Sequence, residues 1–320
     1  MRTTTLLVSF GLLLIVALVL GCQPAVPTEP PYPTKQITYL IPFDPGGQSD
    51  REARRQQPWL ERSLGQKIIL DYRVGNGGAL GWSDLVKAKP DGYLIAGINL
   101  PHIILQPLQQ DVGYKTEQIT PVFIFERTPM GLAVLNASPY KTLKEFLDAA
   151  KAKSGEFAIG GSGTFTGHHI TLLRLQKMTG IQFKYVSYTG AAPQMADFMG
   201  GKIGAVIAST DDLVRYKDQI RILGVSDEYR FQALTDAPTF REGGFELIEY
   251  VDRGVGVPLG TPESVIRKLE NVFLEISRMP DIQTEMWKQG YVPLAMNAKQ
   301  AKEHIDKITP VYKEIVKDIK

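Results

Sequence analysis

From Lys35 onward, short apolar runs alternate with longer stretches of amphipathic character. The short runs read as strands over 36–42, 67–74 ("KIILDYRV"), 92–98 ("GYLIAGI"), 119–125, 130–135 ("MGLAVL"), 156–160, 182–188, 203–208 ("IGAVIA"), 220–225 and 249–257. The longer stretches read as helices over 50–64, 79–89, 142–153, 165–179, 192–200, 262–278 and 297–318, with Pro58 and Pro310 placed to kink two of them. Alternation of this kind predicts an α/β fold with mainly parallel sheets.

Two places mark a change of series. "RTPMGLAVLNASPYKTLKEF" opens a second strand–helix series after the first has closed, and "EYVDRGVGVPLGTPESVIRKL" ends it. The expected division is one lobe of residues 35–129 plus 253–320 and a second of 130–252. Strands 130–135 and 249–257 would then run side by side as two hinge strands, and the C-terminal helices would return to the first lobe. A chain of 320 residues suits this, because single cores seldom grow past about 250–300 residues.

Composition narrows the class. With 43% hydrophobic and 22% charged residues the body is ordinary for a globular protein, and a net charge of +2 without a Lys/Arg block argues against a nucleic-acid surface. The N-terminus departs from this. One Arg and an apolar run from Leu6 to Leu20 fit a signal peptide over 1–21, too short for a spanning helix. "Val19-Leu20-Gly21-Cys22" resembles a bacterial lipoprotein signal, with the only cysteine of the chain, Cys22, as the lipidated residue. Residues 22–34 then form an extended tether, because the five prolines among residues 23–34 exclude helix and sheet. The membrane is expected to be reached only through that anchor.

Candidate chemistry sits in two Gly-rich turns. "IPFDPGGQSDREARR", residues 41–55, runs from strand to helix: Pro45 stops the strand, Gly46 and Gly47 give backbone freedom, and Ser49 or Asp50 can cap the helix. Alone it reads as a tight turn without a ligand. "EFAIGGSGTFTGHHITLLRLQKM", residues 156–178, repeats the device with Ser162, Thr164 and Thr166 as hydroxyls. Bare N–H groups at helix starts hold anions, and two facing each other across a cleft would suit a small acid.

Here the chain resembles a known family. "YPTKQITYLIPFDPGGQSD", "RVGNGGALGWSDLVKAKPDGYLIAGIN", "YVSYTGAAPQMADFMGGKI" and "VGVPLGTPESVIRKL" are similar to the substrate-binding receptors of tripartite tricarboxylate transporters, also called Bug proteins. The likeness runs from about Tyr32 to the C-terminus. It implies a two-lobed periplasmic-binding-protein fold of type II-like topology, and capture of a small carboxylate by the two loops, often through ordered water. It also implies membrane permease subunits as partners, a monomer, and no cofactor. The candidate ligand-binding set is Phe43, Pro45, Gly46, Gly47, Ser49 and Asp50 from the first loop, with Asn99 at a neighbouring strand end. The second loop adds Gly163, Thr164, Phe165, Thr166 and His169. Tyr188, Gly190 and Ala191 form a third wall, with Ser209 beyond it. Asp50 either caps the helix and orders water or accepts from a ligand hydroxyl or amine.

Some positions depart from the family pattern. Arg51, Arg54 and Arg55 follow Asp50 where an apolar helix is usual; one of them could clamp a carboxylate directly, while a solvated face is the plainer reading for each. Phe165 stands where a small residue is frequent and would shape an apolar slot or pack beneath the loop. Gly204 and "AST" at 208–210 replace customary acidic residues.

The rival readings are weaker. "GGSGT" lacks the closing glycine of a nucleophile elbow, and none of His102, His168, His169 or His304 has a context that marks a catalytic base. Adjacent His168 and His169 point about 100° apart on a helix and do not easily share a metal. "RVGNGGALG" lacks dinucleotide spacing. No catalysis and no metal are therefore expected. A ligand-presenting sensor of the same fold, or an amino-acid or phosphate receptor, stays open as an alternative.

Overall fold

The computed structural model describes residues 31–319, and the fold begins at Lys35. The signal peptide, Cys22 and the tether as far as residue 30 lie outside the described residues. The first series is a parallel trio: β1 (Ile37–Ile41) between β2 (Ile68–Tyr72) and β3 (Leu94–Leu100). It is joined by α1 (Gln48–Leu64) and α2 (Ala79–Lys87). Six of the seven residues of β3 are buried, as expected of a strand covered on both faces. After α3 (His102–Gln109) comes β4 (Ile119–Leu135), a strand of 17 residues.

β4 joins the two halves. Its first part pairs antiparallel with β9 (Tyr250–Pro258) and with β10 (Val292–Asn297); its last part, Met130–Leu135, pairs antiparallel with β7 (Ala205–Ser209) and β8 (Ile220–Val225). In the second half β5 (Ala158–Ser162) lies parallel to β6 (Lys184–Tyr188) and to β7. The sheet order is β2-β1-β3-β9-β4-β7-β5-β6, with β8 and β10 as further partners of β4.

The sequence breaks this strand in two at "ERTP", and the structure does not. Proline is tolerated in a sheet only where a ladder bond is dispensable. Pro121 sits at a register shift, and Pro129 sits where pairing passes from β9 to β7 and β8. Two of the polar residues between are satisfied by β9: Arg127 donates to both Asp252 oxygens at 2.6 and 2.9 Å, and Thr128 accepts from Arg253 at 2.7 Å. The side-by-side pairing of residues 249–257 therefore falls on 119–130 rather than on 130–135, and the halves cross at Thr128–Met130 beside Glu249–Val251.

The remaining helices are α4 (Leu143–Ala152), α5 (Gly167–Thr179), α6 (Ala191–Met199), α7 (Thr210–Tyr216), α8 (Glu263–Ser277), α9 (Pro280–Lys288) and α10 (Ala298–Ile319). Both α1 and α10 continue through their internal prolines, Pro58 and Pro310. Apolar burial falls into several clusters, the first of which also takes in Ile170, Phe165 and Leu173 from the second half. Around β3, Leu40, Trp82, Ile98 and Ile103 form one cluster, and Ala301, Ile305 and Tyr312 bring α10 back to it. Phe146, Ile159, Leu172 and Phe240 fill one face of the second half; Met195, Phe198 and Val206 fill the other.

Candidate functional site

The first loop is fixed by its own polar groups. After β1 the chain turns at Gly46, whose φ of +77° favours glycine. Gly47 is extended, with φ −76°, so freedom of rotation is not its role; a Cβ there would lie 3.0 Å from the Asp44 carbonyl. Neither Ser49 nor Asp50 caps α1. Asp50 instead ties the turn together, accepting from the Gly46 N–H at 2.7 Å, the Tyr72 hydroxyl at 2.6 Å and Arg54 Nε at 2.9 Å. Burial opposes its ionisation, but these bonds prevail and hold its carboxyl below the usual range.

Neutral groups fix the second loop. Gly163 has φ +80° and Phe165, without glycine's freedom, φ +51°. The Gly163 carbonyl accepts from Tyr185 at 2.5 Å and from Thr166 at 3.2 Å. His169 Nδ1 accepts the Phe165 N–H at 3.2 Å, and its ring stacks on Tyr185 with centroids 4.2 Å apart. Burial pushes His169 down to about 4. Phe165 packs against the core of the first half, so the loop is wedged across the divide.

The two loops meet. Gln106 Nε2 of α3 donates to the Thr164 carbonyl at 2.7 Å, and a Cβ on Gly163 would lie 3.0 Å from Gly77 Cα. At the third wall a Cβ on Gly190 would come within 2.7 Å of Asp44 Oδ2. Between them lies a cavity lined by Phe43, Gly47, Gln48, Ser49, Asn99, His102, Ser162, His168, Ala191 and Arg253. Its volume, about 10 Å³, is room for about one water.

Five of the expected residues thus share the cavity wall: Phe43, Gly47, Ser49, Asn99 and Ala191. The others lie elsewhere. Pro45 and Gly46 are exposed on the turn, and Asp50 is occupied within it. Gly163, Thr164, Phe165, Thr166 and His169 form the seam beside the cavity rather than its lining. Tyr188 takes the Gly163 N–H on its carbonyl and donates its hydroxyl to Asp197 at 3.2 Å, while Gly190 abuts Asp44. Ser209 lies behind His168, Oγ to Nε2 3.3 Å. Sequence reasoning did not select Gln48 or Arg253 for this wall, noted Ser162 only as a loop hydroxyl, and weighed His102 as a catalytic base and His168 as a base or metal ligand. Arg253 left one signal, a charge directly before the apolar run "GVGVP".

The three unusual arginines do not enter the cavity either. Arg51 crosses from α1 to α7, pairing with Asp211 and with Asp212 at 2.9 Å. Tyr291 also donates to Asp211, at 3.0 Å. Burial and Asp211 push Asp212 up to about 6. Arg54 is exposed and bound to Asp50 and Tyr72; Arg55 pairs with Glu52 and lies 4.5 Å from the Tyr291 ring centroid. All three border a wide external groove of about 780 Å³ with Trp59 and Met279.

Among the residues lining the cavity, Arg253 is the only cation. Burial, with His168 and Arg253 nearby, holds His102 neutral, and burial with Arg253 brings His168 to about 4. His168 Nδ1 accepts the Ser162 N–H at 3.1 Å, so its neutral ring carries the proton on Nε2 and donates toward Ser209. A general base needs that nitrogen free to accept. The lining thus offers polar donors and one fixed positive charge beside two helix starts.

Residues 53–320 match the family described as the tripartite tricarboxylate transporter family receptor. The chain belongs to that family. The UPF0065 protein in the gbd 5′ region of Cupriavidus necator is 28% identical over 287 residues, covering 89% of this chain and 87% of its own. The solved structure of a periplasmic transporter is 29% identical with TM-score 0.86, covering 90% of this chain and 98% of its own. A protein of R. palustris solved with adipate shares the fold at TM-score 0.85 and 24% identity, covering 90% and 98%. The family is described as one of transporter receptors, and the structure at 29% identity is described as a periplasmic transporter. The family match begins at residue 53, just after the first Gly-rich loop.

Proposed function

We propose that this chain is an extracytoplasmic solute-binding lipoprotein that captures a small carboxylate between its halves and delivers it to a tripartite tricarboxylate-type membrane permease. The observation that carries the reading is the single cavity bordered by both Gly-rich loops and Arg253. Adipate in the R. palustris protein supports the ligand class. The lobes are residues 35–129 plus 253–320 and 130–252, and the body works as a monomer. A cavity of about 10 Å³ is a closed state, too small for a diacid. Ligand entry requires the halves to part about β4 and β9 near Thr128–Met130 and Glu249–Val251, and only a ligand with greater affinity for the closed form favours closure. Cys22 carries the lipid, and residues 22–34 hold the body off the membrane.

The test is the melting temperature of the full-length protein in detergent against adipate, malate, citrate, benzoate, glutamate and phosphate. A ligand selective for the folded state raises the midpoint with concentration. A rise with a carboxylate and none with phosphate is expected; no rise with any carboxylate overturns the reading.

A further inference from the structure

Arg253 is buried on β9 with 3% of its surface exposed, and it lines the cavity. Its Nη1 donates to Thr128 Oγ1 at 2.7 Å, its Nη2 donates to Gln48 Oε1, and its Nε has no hydrogen-bond partner. The nearest carboxyl, Glu126 at 3.6 Å, is pushed up by its burial and by Glu52, so it is a poor counter-charge. A buried guanidinium facing a neutral amide, with one donor unused, is costly to maintain.

Nε and Nη2 form one edge of the guanidinium, the edge that receives a carboxylate through two parallel bonds. Gln48 Oε1 covers half of that edge and nothing covers the rest. The Gln48 amide nitrogen is held on the far side by Asp211 at 3.1 Å and Asp212 at 3.0 Å. We propose that Arg253 is the charge partner of the bound carboxylate, and that the Gln48 side chain holds its place until the ligand arrives. One carboxylate oxygen takes Nη2 from Gln48 and the other takes Nε. The displaced Gln48 side chain vacates cavity volume and leaves Asp211 and Asp212 to Arg51, which already binds both. No covalent bond changes. Ligand capture and the α1–α7 contact are thereby joined through one side chain.

This inference rests on the carboxylate-receptor reading, and one experiment separates the two. Whichever of adipate, malate, citrate or benzoate stabilises the wild-type protein is titrated calorimetrically against wild type, Arg253→Lys and Gln48→Ala. Lysine keeps the charge but not the two-bond edge, so Arg253→Lys is expected to weaken binding at least tenfold. Gln48→Ala removes the competitor and is expected to tighten binding at least threefold. Should Arg253→Lys fail to fold, the Gln48→Ala titration decides alone. Unchanged binding in Arg253→Lys, or weaker or unchanged binding in Gln48→Ala, overturns this inference while the receptor reading stands. A wild-type protein that binds none of the four and no glutamate overturns both.

Discussion

The two Gly-rich loops make the same strand-to-helix turn with opposite chemistry. In the first, charges do the holding: Asp50 gathers Gly46, Tyr72 and Arg54, while Arg51 ties α1 to the Asp211–Asp212 pair of the other half. In the second, neutral groups do it: Tyr185, Thr166 and His169 hold Gly163 and Phe165. Both leave a helix start without a side-chain cap, at Gly47 and at Thr166, so backbone donors remain free at each. The lesson is one of division of labour. A turn can be rigid without spending its helix N–H groups, and the fixative then decides which conditions loosen it.

The largest effect should come from filling the first loop. Gly47→Val places a Cβ 3.0 Å from the Asp44 carbonyl and directs branched carbons at the cavity wall. Carboxylate binding should fall below detection in titration while the melting transition stays cooperative; undiminished affinity would remove this loop from the site. Next is the charge tie. Arg51 is a quarter exposed, against 2–3% for its aspartates. Arg51→Gln leaves two buried carboxylates to Gln48 and Tyr291 and should cost about 2 kcal/mol in urea unfolding, less than the ~3–5 kcal/mol of breaking a fully buried pair. Arg54→Gln, on an arginine that is more than half exposed, should cost less than about 0.5 kcal/mol. Equal losses would mean that the α1–α7 tie is no stronger than a surface pair.

The neutral loop should respond to acid instead. His169 titrates at about 4 in the fold and near its ordinary 6.5 when unfolded. Between those values the unfolded chain binds a proton that the folded chain refuses, so stability falls as pH drops through the window. From pH 7 to pH 5 this contributes about 1–2 kcal/mol of loss. His169→Gln should flatten that part of the profile, read as melting temperature against pH. The same slope in the variant would assign the acid sensitivity to His102 and His168. Asp212, raised to about 6, works in the opposite sense and gives stability as pH falls toward 4.

Much of the fold was legible because buried strands and amphipathic helices leave periodic signals. The misreadings have local causes. "ERTP" reads as a break because Glu126, Arg127 and Pro129 are poor strand formers, and only their partners on β9 make them tolerable there. The short helices α3, α7 and α9 and the strand β10 gave too little pattern to be recognised. The loops were legible, but the cavity was not. Glycines and caps announce a turn from neighbouring residues, whereas Gln48 and Arg253 lie 205 positions apart and meet only in the folded chain. Asp50 misleads for the converse reason: a cap-type residue at a helix start can be engaged by the turn before it and by Tyr72, 22 residues ahead.

The central claim is that both helix starts close over one negatively charged solute. A crystal structure of the protein with the carboxylate that raises its melting temperature tests this most directly. The account predicts the ligand enclosed between Gly47–Ser49 and Ser162–His168, with a carboxylate oxygen on Arg253. A ligand seated instead in the outer groove beside Trp59 and Met279, with the inner cavity still closed around Gln48, would contradict it.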